Sequence, residues 1–115
     1  MVTLPFSIGI LSWKGYDSLL NSLISYENNG LSKLTNHKYI CLPEYEKKGI
    51  EIAKKFYYEP ILIKDNIGIL GGFKVLAEKM PKGPILLLEN DLPLIENRKT
   101  VYQQIKKSLE FLSKE

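Results

Sequence analysis

The chain of 115 residues has 16 Lys and Arg against 13 Asp and Glu, a net charge of +3, and 44% of its residues are hydrophobic. This composition is ordinary for one globular domain with its own core. Its weak basic excess suits an anionic small ligand but does not argue for nucleic acid. Cys41 is the only cysteine, which excludes an intrachain disulfide and a cysteine metal cluster. No signal-type leader and no apolar run of membrane-spanning length is found, so we expect a cytoplasmic protein without a membrane span.

Short apolar runs alternate along the chain with segments of helical period. The runs predict four strands, at 6–11, 38–42, 60–63 and 85–88. The helical spacing predicts a helix from Tyr16 to about Asn28, a second from about Tyr45 to Tyr57, a third that stops at Pro81, and a fourth from about Arg98 to Ser113. This alternation of strands and helices predicts an α/β domain with a parallel sheet and right-handed crossovers.

Polar or aromatic residues stand at the carboxyl end of every predicted strand, where ligands bind in open parallel sheets. They are Ser12 with Trp13, Glu44, Asp65 with Asn66, and Glu89 with Asp91. Trp13 is either a face for a nucleobase to stack on or an aromatic at the edge of the core.

The acidic strand end after the run Ile85–Leu88 is the centre of the predicted site. The run, bounded by Pro84, indicates a strand buried on both faces. Residues two apart in a strand point to the same side, so Glu89 and Asp91 would direct two carboxylates into one space. Two such charges repel unless a cation lies between them, and Mg²⁺ or Mn²⁺ holding substrate phosphates would serve. The alternative for an acid-x-acid triplet is a helix cap or a solvated turn, which is commoner.

A glycine-bearing segment follows the third strand. Asn66 is placed to cap the third helix, whose first amides would then face an anion. Gly71 and Gly72 would let a diphosphate or sugar approach the backbone closely, and with equal weight they would let the helix pack tightly on the sheet.

Together these segments resemble the N-terminal, nucleotide-binding part of a GT-A glycosyltransferase, close to family 2. The resemblance covers nearly the whole chain. The family's first strand and helix are similar to SIGILSWKGYDSLLNSLISY, and its second pair to YICLPEYEKKGIEIAKKF. Its Asn-x-Gly segment is similar to NIGILGGFKVLAEKM, and its DxD strand to LLLENDLPLIE.

The resemblance implies a GT-A type, Rossmann-like sheet of about four strands in the order 3-2-1-4 over residues 1–115. It implies a nucleotide-diphosphate sugar as donor and a divalent metal, Mn or Mg. Glu44 would contact the base, Asp91 would bind the metal, and Glu89 would contact the ribose or the metal and its water shell. The family's arginine and asparagine after the glycines are replaced by Phe73 and Lys74, so Lys74 is the candidate for the phosphates.

In this family the acceptor site and the catalytic base follow the DxD strand, where this chain has one predicted helix. We therefore expect donor binding without efficient transfer to an acceptor, which is unidentified. We also expect self-association through the apolar stripe of that helix and an uncovered sheet edge.

Two other classes stay open. One is a non-catalytic α/β binding or interaction domain whose acidic cluster is a cation site or a cap. The other is a receiver-like phosphoacceptor domain, which would need an acidic pair where Ser12 and Trp13 stand.

Overall fold

The computed structural model describes residues 3–91 and 98–113, and it contains a parallel sheet of four strands. The strands are β1 (Ser7–Leu11), β2 (Lys38–Pro43), β3 (Glu59–Ile63) and β4 (Ile85–Glu89). The helices are α1 (Tyr16–Asn28), α2 (Lys47–Lys55), α3 (Gly68–Lys79) and α4 (Arg98–Ser113), with a short 3₁₀ turn at Leu31–Lys33. The strand order is β3-β2-β1-β4, so the predicted α/β class and the order 3-2-1-4 are confirmed.

The two faces of the sheet carry two separate apolar clusters. On one face Ile8, Ile10 and Ile40 are fully buried, in a core shared with α1, α2 and α4. On the other face Leu11 and Cys41 pack against α3. The alternation follows from the pleat, since successive side chains of a strand point to opposite faces.

The prediction that the fourth strand is buried on both faces is wrong. Leu87 in β4 is 38% exposed. Within the described residues α3 is the helix on that face, and it lies over β1 and β2 rather than over β4 at the sheet's edge. A continuous apolar run therefore marks a strand here without marking full burial.

Two predictions about helices also need correction. α2 is shorter than expected, because Tyr45 lies before its start and Tyr57 takes a left-handed φ of 63° after its end. The apolar stripe of α4 is covered by the core at its start but not at its end, where Leu112 is 49% exposed. Val101 is 4% exposed, and Ile105 packs against the same core as α1. Among the described residues, no helix has the length and apolar character needed to cross a membrane.

Candidate ligand site at the carboxyl edge of the sheet

The loop between β1 and α1 is shaped by Ser12. Ser12 is fully buried; its backbone N–H donates to Cys41 O (3.0 Å), and its hydroxyl donates to Lys14 O (3.0 Å). After Trp13 the backbone is left-handed at two residues, with φ of 54° at Lys14 and 59° at Gly15. A left-handed non-glycine residue costs of order 1–3 kcal/mol and persists where its surroundings hold it. Ser12 therefore supports the loop from within and does not present its hydroxyl to a ligand.

Trp13 and Glu44 meet across the ends of β1 and β2. The indole Nε1–H of Trp13 donates to Glu44 Oε1 at 2.9 Å. Trp13 stays 50% exposed, and Glu44 is also exposed and left-handed, with a φ of 47°. One hydrogen bond uses one of about four lone-pair sites on a carboxylate. The pair therefore offers a ligand an aromatic surface beside a hydrogen-bond acceptor.

Two depressions flank the Trp13–Glu44 pair. The larger, of about 410 Å³, is lined by Lys14, Glu44, Tyr45 and Lys64. The smaller, of about 210 Å³, has mostly apolar walls and is lined by Leu11, Trp13, Pro43, Asn66, Gly68 and Ile69. The edge thus offers one charged surface and one apolar surface, separated by the pair.

Asn66 lies where α3 begins, as predicted, although one residue before the N-cap position, which Ile67 occupies. Its Oδ1 accepts a hydrogen bond from the backbone N–H of Gly68 at 3.0 Å. Asn66 therefore satisfies the first amide of α3 and also lines the smaller depression. Asp65, just before it, is exposed at the end of β3.

The two glycines of α3 differ in their surroundings. Gly72 is buried on the side of α3 that faces the sheet, where an added Cβ would collide with Leu11 Cδ1. A Cβ on Gly71 would instead lie 3.0 Å from the Cβ of Ile67 in the preceding turn. The packing alternative thus accounts for Gly72. Lys74 is exposed, about 200° around the helix from Gly72 at 100° per residue, and so points away from the sheet.

The carboxyl end of β4 departs from the geometry on which the two-carboxylate hypothesis depends. The strand ends at Glu89, which pairs in register with Leu11 and so lies on the α3 side. Asn90 and Asp91 form a turn, so the two-residue period of a strand no longer applies to Asp91. Asp91 is exposed, and its charge reaches the hydroxyl of Tyr26 on α1: burial raises the pKa of Tyr26 to about 12, and Asp91 adds to that rise.

The carboxylate oxygens at this end of β4 are nevertheless ligands of the type that a hard divalent cation binds. Carboxylate oxygens are the ligands that Mg²⁺ and Mn²⁺ prefer, and Mg²⁺ bound to a phosphate substrate often takes only one or two of them from the protein. No group of three His, Cys, Asp or Glu side chains is gathered in the described part of the chain. Because Glu89 lies on the α3 side and the charge of Asp91 reaches Tyr26 on α1, the structure does not gather the two carboxylates into one closed site. Either carboxylate would hold a cation only together with substrate phosphates.

Three residues of the site were missed as candidates in the sequence. Lys14 and Lys64 stand in the larger depression, and Lys14 forms an ion pair with Glu46 at 3.7 Å. Asn90 donates from Nδ2 to Gly15 O at 3.2 Å. Lys64 directly follows β3 and Lys14 is the third residue after β1, and positions just past strand ends are a signal that could have identified them.

The fold is a Rossmann-like α/β domain, and the two depressions make the carboxyl edge of its sheet the candidate ligand surface. The structure brings Trp13, Glu44 and Asn66 together there, whereas Ser12 is buried and supports the β1–α1 loop. It places Gly72 in the packing between α3 and the sheet. No protein-family model matches this chain, and no curated protein and no solved structure is significantly similar to it.

Proposed function

We propose that this chain is the donor-binding part of a GT-A type glycosyltransferase, which binds a nucleotide-diphosphate sugar with a divalent metal, Mn²⁺ or Mg²⁺. The observation that carries the proposal is the Trp13–Glu44 pair, bonded at 2.9 Å between two depressions at the carboxyl edge. An aromatic face stacks on any base, and a carboxylate accepts hydrogen bonds from a base or a ribose.

The surroundings of the pair suit the rest of such a donor. Lys14 and Lys64 line the larger depression beside Glu44, and because Lys14 is paired with Glu46, Lys64 is the cation that would face the diphosphate. Glu89 ends β4 beside Leu11 of β1, and Asp91 follows it. A metal held by one of these carboxylates and by the diphosphate would offset the charge that develops on the leaving group. The acceptor and the catalytic base are not assigned to any residue.

A binding assay tests the proposal. Thermal shift and calorimetry are run with a panel of nucleotide sugars, each with and without Mn²⁺. A ligand that binds only the folded chain adds roughly 2.7 kcal/mol of stability at about 100 times its Kd. We expect that stabilisation with Mn²⁺, and we expect Asp91→Asn to remove most of the metal-dependent part while the variant stays folded, because Asp91 is exposed. Equal affinity of wild type and Asp91→Asn in Mn²⁺ would rule out the metal-ligand role.

Two variants of Trp13 separate its stacking from its hydrogen bond. Trp13→Phe keeps an aromatic face and loses the bond to Glu44, whereas Trp13→Ala loses both. If the indole stacks on the base, affinity falls further in Trp13→Ala than in Trp13→Phe. Equal losses would mean that only the hydrogen bond matters, and no loss in either variant would place the base elsewhere.

A second candidate is a non-catalytic α/β binding or interaction domain with an acidic cation site. The turn at Asn90 and Asp91 favours this candidate over the metal-dependent transferase, because Asp91 no longer follows the two-residue period that would direct it to the same side as Glu89. Nucleotide binding that does not depend on metal, or no nucleotide binding at all, would favour it.

A transfer assay with panels of donors and acceptors adds a second criterion, since we expect binding without efficient transfer. The cytoplasmic location stays a prediction.

A further inference from the structure

Asn90 links the end of β4 to the loop that carries Trp13. Its side-chain Nδ2 donates to Gly15 O at 3.2 Å, between residues 75 positions apart in sequence. Its own backbone oxygen accepts a hydrogen bond from the hydroxyl of Ser22 on α1 at 2.8 Å. The backbone of Asn90 is thus fixed to α1, and its side chain is directed at the β1–α1 loop.

Gly15 is fitted to this contact. Its φ of 59° is a conformation that L side chains rarely adopt, and an added Cβ would lie 2.7 Å from Asn90 Nδ2. The amide of Asn90 therefore occupies the space that any side chain at position 15 would need. Glycine avoids both the strain of this backbone conformation and the contact with the Asn90 amide.

The loop held in this way contains the strained part of the ligand site. Lys14, next to Gly15, is left-handed, and Trp13 precedes it. Ser12 holds the loop from its other end through Lys14 O. On the β4 side the loop is held by Asn90, which stands between Glu89 and Asp91 in the sequence.

We propose that Asn90 is a positioning residue that couples the nucleotide surface at Trp13 to the metal carboxylates at the end of β4. The coupling rests on the proposed function, whereas the hold on the loop does not. Because one side chain joins both parts, ordering of the acidic turn by a metal orders the loop, and a bound nucleotide strengthens metal binding by the same factor.

The single tryptophan gives a direct measurement of the loop. Acrylamide quenching of Trp13 fluorescence is compared in wild type, Asn90→Ala and Gly15→Ala. The matched control is Asn36→Ala, an exposed asparagine before β2 at the opposite end of the sheet. We expect stronger quenching in the first two variants and no change in the control. Asn90→Ala keeps the backbone oxygen that Ser22 binds, so the turn stays attached to α1.

The second measurement is the factor by which Mn²⁺ raises nucleotide affinity. Loss of one hydrogen bond should lower this factor about 3- to 10-fold in Asn90→Ala. Asn36→Ala should leave it unchanged. Nucleotide affinity is measured by calorimetry in Mn²⁺ and in a chelator, so that the factor is obtained for each variant separately.

The two measurements separate the inference from the proposed function. Unchanged quenching in both Asn90→Ala and Gly15→Ala overturns the hold on the loop. Increased quenching with an unchanged Mn²⁺ factor supports the hold and overturns the coupling. If the wild-type chain binds no nucleotide in Mn²⁺, the proposed function and the coupling both fail, and the quenching alone decides whether Asn90 holds the loop.

Discussion

Replacing Gly72 with alanine tests whether packing alone requires this glycine. The new Cβ would collide with Leu11 Cδ1 and would lie 2.9 Å from Leu11 Cδ2. Leu11 has little room to move, since it is 5% exposed and shares its cluster with Cys41 and Met80. Overfilling a well-packed core costs about 1–3 kcal/mol.

Helix propensity acts in the opposite direction, because alanine is favoured over glycine inside a helix by about 1 kcal/mol. Because two carbons of Leu11 are affected, we take the upper half of the packing cost, about 2–3 kcal/mol, and subtract the gain in helix propensity. We expect a net loss of about 1–2 kcal/mol in the free energy of unfolding, or a fall in Tm of about 4–8 °C. Ala77→Gly is the control: Ala77 is exposed in the same helix and reports the propensity effect alone.

Urea unfolding, followed by circular dichroism and Trp13 fluorescence, measures both variants. Nucleotide affinity of folded Gly72→Ala should equal that of wild type, because the glycine faces Leu11. Stability equal to or above wild type would refute the packing argument. Affinity that falls while stability holds would place Gly72 against the donor diphosphate instead.

Three further predictions concern titration, reactivity and association. Burial raises the pKa of Tyr26 from 10.0 to about 12, so the unfolded chain loses this proton first and stability should fall as pH rises from 10.0 to about 12. Tyr26→Phe should remove that part of the slope in urea unfolding, and equal slopes would contradict this. Burial also raises the pKa of the Cys41 thiol to about 11, so labelling by a thiol reagent should follow global unfolding; rapid labelling of the native chain would refute it. Self-association should be visible by light scattering and should weaken in Leu87→Thr, which replaces an exposed apolar residue of β4; unchanged scattering would exclude this surface.

The sequence determined the fold class and the edge of the sheet at which the candidate residues meet. The spacing of the apolar residues and the positions of proline and glycine predicted the strands and helices. In a parallel sheet the carboxyl ends of neighbouring strands meet at one edge. Trp13, Glu44 and Asn66 were predicted to converge for that reason, and they do.

The tertiary structure alone decided how the two acids of β4 are arranged and why α3 carries a buried glycine. The two-residue period of a strand was expected to hold as far as Asp91, but residues 90 and 91 form a turn in which Asn90 is bonded to Gly15 and Ser22, 75 and 68 residues away. Gly72 is fixed by Leu11, which belongs to a strand far earlier in the chain. Local patterns report the period of the backbone, whereas these positions depend on atoms that only folding brings into contact.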